Sequence, residues 1–168
     1  QMCIRDRCDT MSGACFLSAK AAYRMGAGLV HVVSTPSNRD TLLSALPEIL
    51  FSTREEIKKV LPLASAVVIG PGIGLSKQSE ELVEYVLANT KVPTVVDGDA
   101  ITICAKKDIT FRDNFVLTPH VNEMSVLTGI PIPKLQEDIL GTTKNTAKTR
   151  NCILVQKLSL IHISEPTR

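Results

Sequence analysis

Five short apolar runs punctuate this chain: Leu29–Ser34, Ala66–Ile69, Pro93–Val96, Phe115–Leu117 and Cys152–Gln156. Stretches with helical spacing separate them. Strands this continuously apolar need cover on both faces, which a parallel sheet between helical layers supplies. Strands alternating with helices also imply right-handed crossovers within one sheet. The expected fold class is α/β, a mostly parallel sheet flanked by helices.

The helical stretches carry their own start and stop signals. Ser12 is placed to cap a helix over Gly13–Met25, which stops at Gly26-Ala27-Gly28. A turn at Thr35-Pro36-Ser37-Asn38 leads into a short helix near Asp40–Leu46, and Thr53–Leu61 also reads as helical. Ser76 opens an amphipathic helix with Leu82, Val83, Val86 and Leu87 on one face. Asn122 is expected to cap a short helix ending at Gly129, and a last helix covers about Lys134–Arg150. The pattern ends on a strand with no helix behind it, so the fold is expected to be incomplete on its C-terminal side.

Charge and composition remove several function classes. The 168 residues hold 19 Lys+Arg against 17 Asp+Glu, a net +2, which is no footprint for nucleic acid. Aromatics make up 4% and Trp is absent, so base stacking is a poor reading as well. No apolar run reaches the roughly 18 residues that a membrane helix needs. Five cysteines at irregular spacing form neither a disulfide framework nor a zinc site, and read as reduced thiols of a cytoplasmic protein.

Both termini break with this style. Leu158-Ser159-Leu160-Ile161-His162-Ile163 can be encoded CTG TCT CTT ATA CAC ATC. The reverse strand of that DNA contains ATG TGT ATA AGA GAC AG, which reads Met2-Cys3-Ile4-Arg5-Asp6 and begins Arg7. Two ends encoding one DNA on opposite strands look like a sequencing-library adaptor. Residues 1–7 and 158–168 are therefore expected to be adaptor translation, with 8–157 the natural segment.

The chemistry gathers where strands end. Gly70–Gly74, Asp97–Asp99 and Thr118–Glu123 each follow an apolar run directly. In an open parallel sheet those places share the carboxyl edge, where ligands bind. Gly70-Pro71-Gly72-Ile73-Gly74 reads either as a tight turn or as a backbone cradle for an anion at the following helix start. It is neither a dinucleotide fingerprint nor a Walker loop. Asp97 and Asp99 suit magnesium, activation of a water, or, for Asp99, capping of the next helix. His120 sits before a helix N-terminus, which favours a neutral, hydrogen-bonding imidazole. Glu123 either serves that helix start or faces the cleft. His31, inside a strand, reads as a satisfied sheet histidine.

Six segments in order carry a resemblance: Ser12-Gly13-Ala14, Arg24 to Val30, Pro47-Glu48, Val68 to Gly74, Val95 to Ala100, and Leu117-Thr118-Pro119-His120 with Glu123. They are similar to the ADP-dependent NAD(P)H-hydrate dehydratases, ribokinase-like enzymes that repair hydrated nicotinamide cofactors. Gly98 and Ile73 depart mildly from the usual Ala and Leu. The resemblance implies conversion of the S epimer of hydrated NADH or NADPH to the normal cofactor. ADP, or ATP as the alternative, is consumed with magnesium assisting.

The same likeness implies that Ala14, Gly72, Gly74 and His120 contact the hydrated dinucleotide. Asp97, Asp99 and Glu123 would serve substrate or magnesium, with the metal ligands themselves left unassigned. Lys157 matches the lysine of a nucleotide-binding Lys-Gly segment, although Leu158 replaces the Gly. A Gly-Gly-Thr-Gly-Asp segment bearing the expected catalytic Asp has no counterpart, so this polypeptide alone is expected to be inactive. The whole protein is expected to be a cytoplasmic homo-oligomer with a fused or partner epimerase, and to contact neither nucleic acid nor membrane. Two alternatives stand beside this reading: a ribokinase-like vitamin kinase for a small alcohol, and a non-catalytic module that binds nicotinamide dinucleotides.

Overall fold

Seven strands pair in a single parallel sheet in the computed structural model, which describes residues 2–4 and 12–158. They are β1 (Met2–Ile4), β2 (His31–Val33), β3 (Leu50–Ser52), β4 (Val67–Ile69), β5 (Thr94–Val96), β6 (Phe115–Leu117) and β7 (Ile153–Leu154). Their order across the sheet is β3-β2-β1-β4-β5-β6-β7. The connecting helices are α1 (Ser12–Arg24), α2 (Arg39–Ala45), α3 (Ile57–Val60), α4 (Lys77–Asn89), α5 (Asp99–Lys106), α6 (Val121–Thr128), α7 (Ile132–Glu137) and α8 (Ile139–Thr149). The expected α/β class stands.

Register separates the two faces of the sheet. Val33, Ile69, Val96 and Leu117 lie in one row with Ile4 and Leu154, and those four are fully buried. They share a core with Leu82 and Val86 of α4, Ile101 and Cys104 of α5, and Met124 and Leu127 of α6. The next row, shifted by one residue, turns the other way. Its Val32 is buried with Cys15 and Ala19 of α1 and Leu42 of α2. Further along the same row, Val68, Val95 and Val116 are only partly buried and belong to neither core, and Ile153 is 53% exposed.

Several local expectations need correction. The cap of α6 is His120 and not Asn122. The side chain of His120 reaches the orphan N–H groups of the first turn from two places earlier. The expected helix over Lys134–Arg150 is broken at Asp138, which leaves helical geometry (φ −144°, ψ 68°) and accepts the N–H of Gly141 at 2.9 Å. A short carboxylate competing for nearby backbone groups explains the break. Thr53–Leu61 resolves into a 3₁₀ turn with a Thr53–Glu56 capping box, the single turn α3, and a second 3₁₀ turn that carries Pro62. Strands β1 and β3 were not anticipated; β1 lies in the middle of the sheet, and β3 is a three-residue edge strand just after the Pro47-Glu48 turn.

His31 meets its expected role. Its Nε2 lies 2.9 Å from Ser52 Oγ across β2 and β3, and burial lowers its pKa.

Candidate functional site

The turn after β4 and the turn after β5 interlock through their backbones. Gly70 has φ 118°, and a Cβ there would lie 1.8 Å from the carbonyl oxygen of Asp97. Only glycine permits that approach. Gly98 answers from the other side with φ 58° and ψ −132°, where a Cβ would lie 3.3 Å from the Gly70 oxygen. Glycine in place of the usual alanine therefore suits the geometry here. The Gly74 N–H donates to Asp99 Oδ2 at 2.9 Å, which joins the far end of the glycine turn to the start of α5. Ser79 Oγ, buried in α4, donates to the Ile73 carbonyl at 2.8 Å.

Of the alternatives left open for Asp99, capping of the next helix does not hold. Gly98 holds that position, Asp99 is the first helical residue, and its carboxylate faces back to the glycine turn.

Asp97 collects the neighbouring strands. Its Oδ1 accepts the Thr118 hydroxyl at 2.8 Å and is ion-paired with Lys157 Nζ. The side chains of Asp97 and Lys157 are 25% and 47% exposed, so the pair lies at the mouth of the site. Lys157 is brought there because the chain after β7 still follows β6: Val155 N–H donates to Leu117 O and Lys157 N–H to Pro119 O, both at 2.8 Å. One carboxylate oxygen therefore links the carboxyl ends of β5, β6 and the β7 segment.

His120 and Glu123 form the third group. His120 Nδ1 accepts from the backbone N–H groups of Asn122 and Glu123 at 3.1 and 3.2 Å. Glu123 Oε2 accepts the His120 N–H at 2.8 Å, and Oε1 lies 3.2 Å from Nε2. Ala14 sits in the first turn of α1, on the crossover that leaves β1. A crossover helix starts at the carboxyl edge, so topology alone places Ala14 on this side of the sheet.

Of the residues singled out from sequence, the glycine turn, Asp97, Asp99, His120, Glu123 and Lys157 thus share one edge. Thr118 had not been assigned a role, although the motif contained it; its signal was a hydroxyl placed directly after a buried strand. Cys104 and Cys152 offer no alternative chemistry. Burial pushes Cys104 up to about 12 and also raises Cys152, which leaves neither poised as a nucleophile. A hollow of about 340 Å³ beside Tyr85, Asn89 and Lys91 lies at the opposite, amino edge and gathers none of these groups. Among the described residues no three His, Cys, Asp or Glu side chains converge as a metal cage.

A family model described as NAD(P)H-hydrate dehydratase matches residues 3–167. This chain belongs to that dehydratase family. It is 37% identical over 151 residues to the ADP-dependent (S)-NAD(P)H-hydrate dehydratase of Streptococcus pneumoniae, covering 86% of this chain and 52% of the relative. It is 34% identical over 150 residues to the bifunctional NAD(P)H-hydrate repair enzyme Nnr of Coxiella burnetii, covering 88% of this chain and 30% of that one. A ribokinase-like superfamily protein of known structure from Enterococcus faecalis superposes with a TM-score of 0.86 at 27% identity, over 94% of this chain and 56% of that one. The ribokinase-like expectation therefore stands. The chain spans about half the length, or less, of these dehydratase relatives. No described helix is long and apolar enough to cross a membrane.

Proposed function

We propose that the whole protein removes water from the S epimer of hydrated NADH or NADPH in the cytoplasm, at the expense of ADP. The observation that carries this reading is the Asp97 hub, which draws Thr118 and Lys157 together beside the glycine turn. The S. pneumoniae relative bears an ADP-dependent dehydratase name, which supports the choice of nucleotide. The C. burnetii relative bears a bifunctional repair name, which supports a second, epimerase activity fused or partnered to this one.

In this proposal a phosphoryl group passes from ADP to the hydrate hydroxyl, leaving AMP. Phosphate then departs with the C–O electron pair while a neighbouring proton is lost, which restores the ring double bond. Such a reaction needs positioning and charge stabilisation more than covalent help from the protein. The Lys157 ammonium would meet negative charge on the nucleotide and phosphate. Ala14, Gly72, Gly74 and His120 would line the dinucleotide, and Asp97 and Asp99 would hold the turns in place. Magnesium carried by the nucleotide would be held on this chain by Asp97, and it would neutralise phosphate charge. The catalytic Asp is assigned to a Gly-Gly-Thr-Gly-Asp segment outside this chain.

We also assign residues 1–7 and 158–168 to adaptor-derived DNA. On that reading Met2-Cys3-Ile4 fills the β1 slot by backbone pairing that any short β-forming segment satisfies. Reading the genomic DNA across both junctions tests this; native codons continuing through Arg7 or Leu158 would overturn it. The same DNA supplies the whole gene for the activity test. The whole protein is expected to regenerate NADH from its hydrate with ADP, and the 168-residue chain is expected not to. A whole protein that instead phosphorylates a small vitamin alcohol, or only binds dinucleotide, would refute the proposal.

A further inference from the structure

Both ring nitrogens of His120 are engaged by its own helix. Nδ1 accepts two backbone N–H groups, so it carries a lone pair and the ring proton sits on Nε2. Nε2 faces Glu123 Oε1 at 3.2 Å, while Glu123 Oε2 takes the His120 backbone N–H at 2.8 Å. One carboxylate therefore holds the residue at its backbone and at the far edge of its ring. The two side chains are unequal in exposure: Glu123 is 10% exposed and His120 is 49% exposed. The buried member grips and the exposed member is presented. The loop they belong to is pinned twice more, by Thr118 on Asp97 and by Pro119 O on the Lys157 N–H.

We infer that Glu123 is a positioning residue for His120, holding the imidazole as a single tautomer with Nδ1 bare and the Nε2–H on Glu123 Oε1, so that the exposed side of the ring is presented in one orientation to the bound dinucleotide. The inference rests on the dinucleotide reading above for the ligand, and on the geometry alone for the tautomer. It takes Glu123 out of the metal and substrate sets, because its two oxygens already serve His120. It also divides the ring into two jobs, Nδ1 for the helix N–H groups and Nε2–H for Glu123.

The test is ¹⁵N NMR of the histidine rings in the full chain, with His120→Asn identifying the His120 signals. Wild type should show an Nε2–H ring with bare Nδ1, and Glu123→Gln should turn that into a mixture of tautomers. Gln still caps the backbone N–H, so the melting temperature should fall by no more than about 2–4 °C. His120→Asn puts an oxygen near the Nδ1 position and should melt close to wild type, whereas His120→Gln should melt lower. An Nδ1–H ring in wild type, an unchanged ring in Glu123→Gln, or a His120→Gln chain more stable than His120→Asn would overturn the assignment. Titration with NADPH is a separate arm, in which His120→Asn should bind about tenfold more weakly while keeping its fold. No binding by wild type would count against the dinucleotide reading and leave the ring spectra to decide the positioning.

Discussion

The two faces of the sheet are built from the same strands and meet different fates. On one, Ile69, Val96 and Leu117 are fully buried under α4, α5 and α6. On the other, their immediate neighbours Val68, Val95 and Val116 are only partly buried, and the row ends in the exposed Ile153. All of these are β-branched or leucine. Residues at alternate positions of a strand facing water are ordinarily polar, so the open face has the composition of a covered one. A continuous apolar run in sequence reports that a strand expects two neighbouring layers, whether or not both are present.

Substitutions in adjacent residues can break or sharpen this contrast. Ile69→Ala should lose about 2–5 kcal/mol in urea unfolding, since it opens a cavity in a close-packed layer. Its neighbour Val68→Thr should cost less than about 1 kcal/mol if that face is open, because the hydroxyl keeps access to water. A loss as large as that of Ile69→Ala would abolish the distinction. Ile153→Lys should change stability by no more than about 0.5 kcal/mol while reducing binding of an apolar dye and raising solubility. Unchanged dye binding would place the sticky surface elsewhere.

Smaller effects belong to the site edge and to β2. Asp97→Asn should lower stability by less than about 1 kcal/mol at low salt, with the difference shrinking in concentrated salt, as expected for a partly exposed ion pair. His31 yields the finest signal. Burial holds its folded pKa below the ordinary 6.5, so the unfolded chain takes up its proton first as pH falls. Its contribution is therefore fully present above 6.5 and is lost as pH drops through the lower folded value. Melting curves of wild type and His31→Gln should diverge in slope over that window; parallel curves would remove burial as the cause.

Much of this arrangement was legible from residue order. The positions of β2 and β4 to β7, the parallel sheet and the shared edge of Gly70, Asp97 and Thr118 follow from apolar runs that end in special residues. The interlock of Gly70 with Asp97 was not legible, because it is a contact between two turns 27 residues apart whose signal is only the glycine itself. The capping role of His120 was missed for a related reason: imidazole is a rare cap, and Asn122 carried the commoner signal. Asp138 broke a helix that its flanking spacing supported, since one local hydrogen bond outweighed periodicity there. Leu50–Ser52 was too short and too close to a turn to register as a strand.

The position of β1 governs how the molecule comes apart. Its three residues pair with β2 on one side and β4 on the other, so every ladder bond between the two halves of the sheet passes through them. The apolar clusters divide along nearly the same line, one around α1, α2 and Val32, the other around α4 to α6. Strand pairing between the halves therefore runs through a seam three residues wide, with Val33 of β2 adding one buried side chain to the larger core. Under load or heat that seam is the natural fracture line: a chain with β1 deleted should melt in two calorimetric steps, each half reporting its own core.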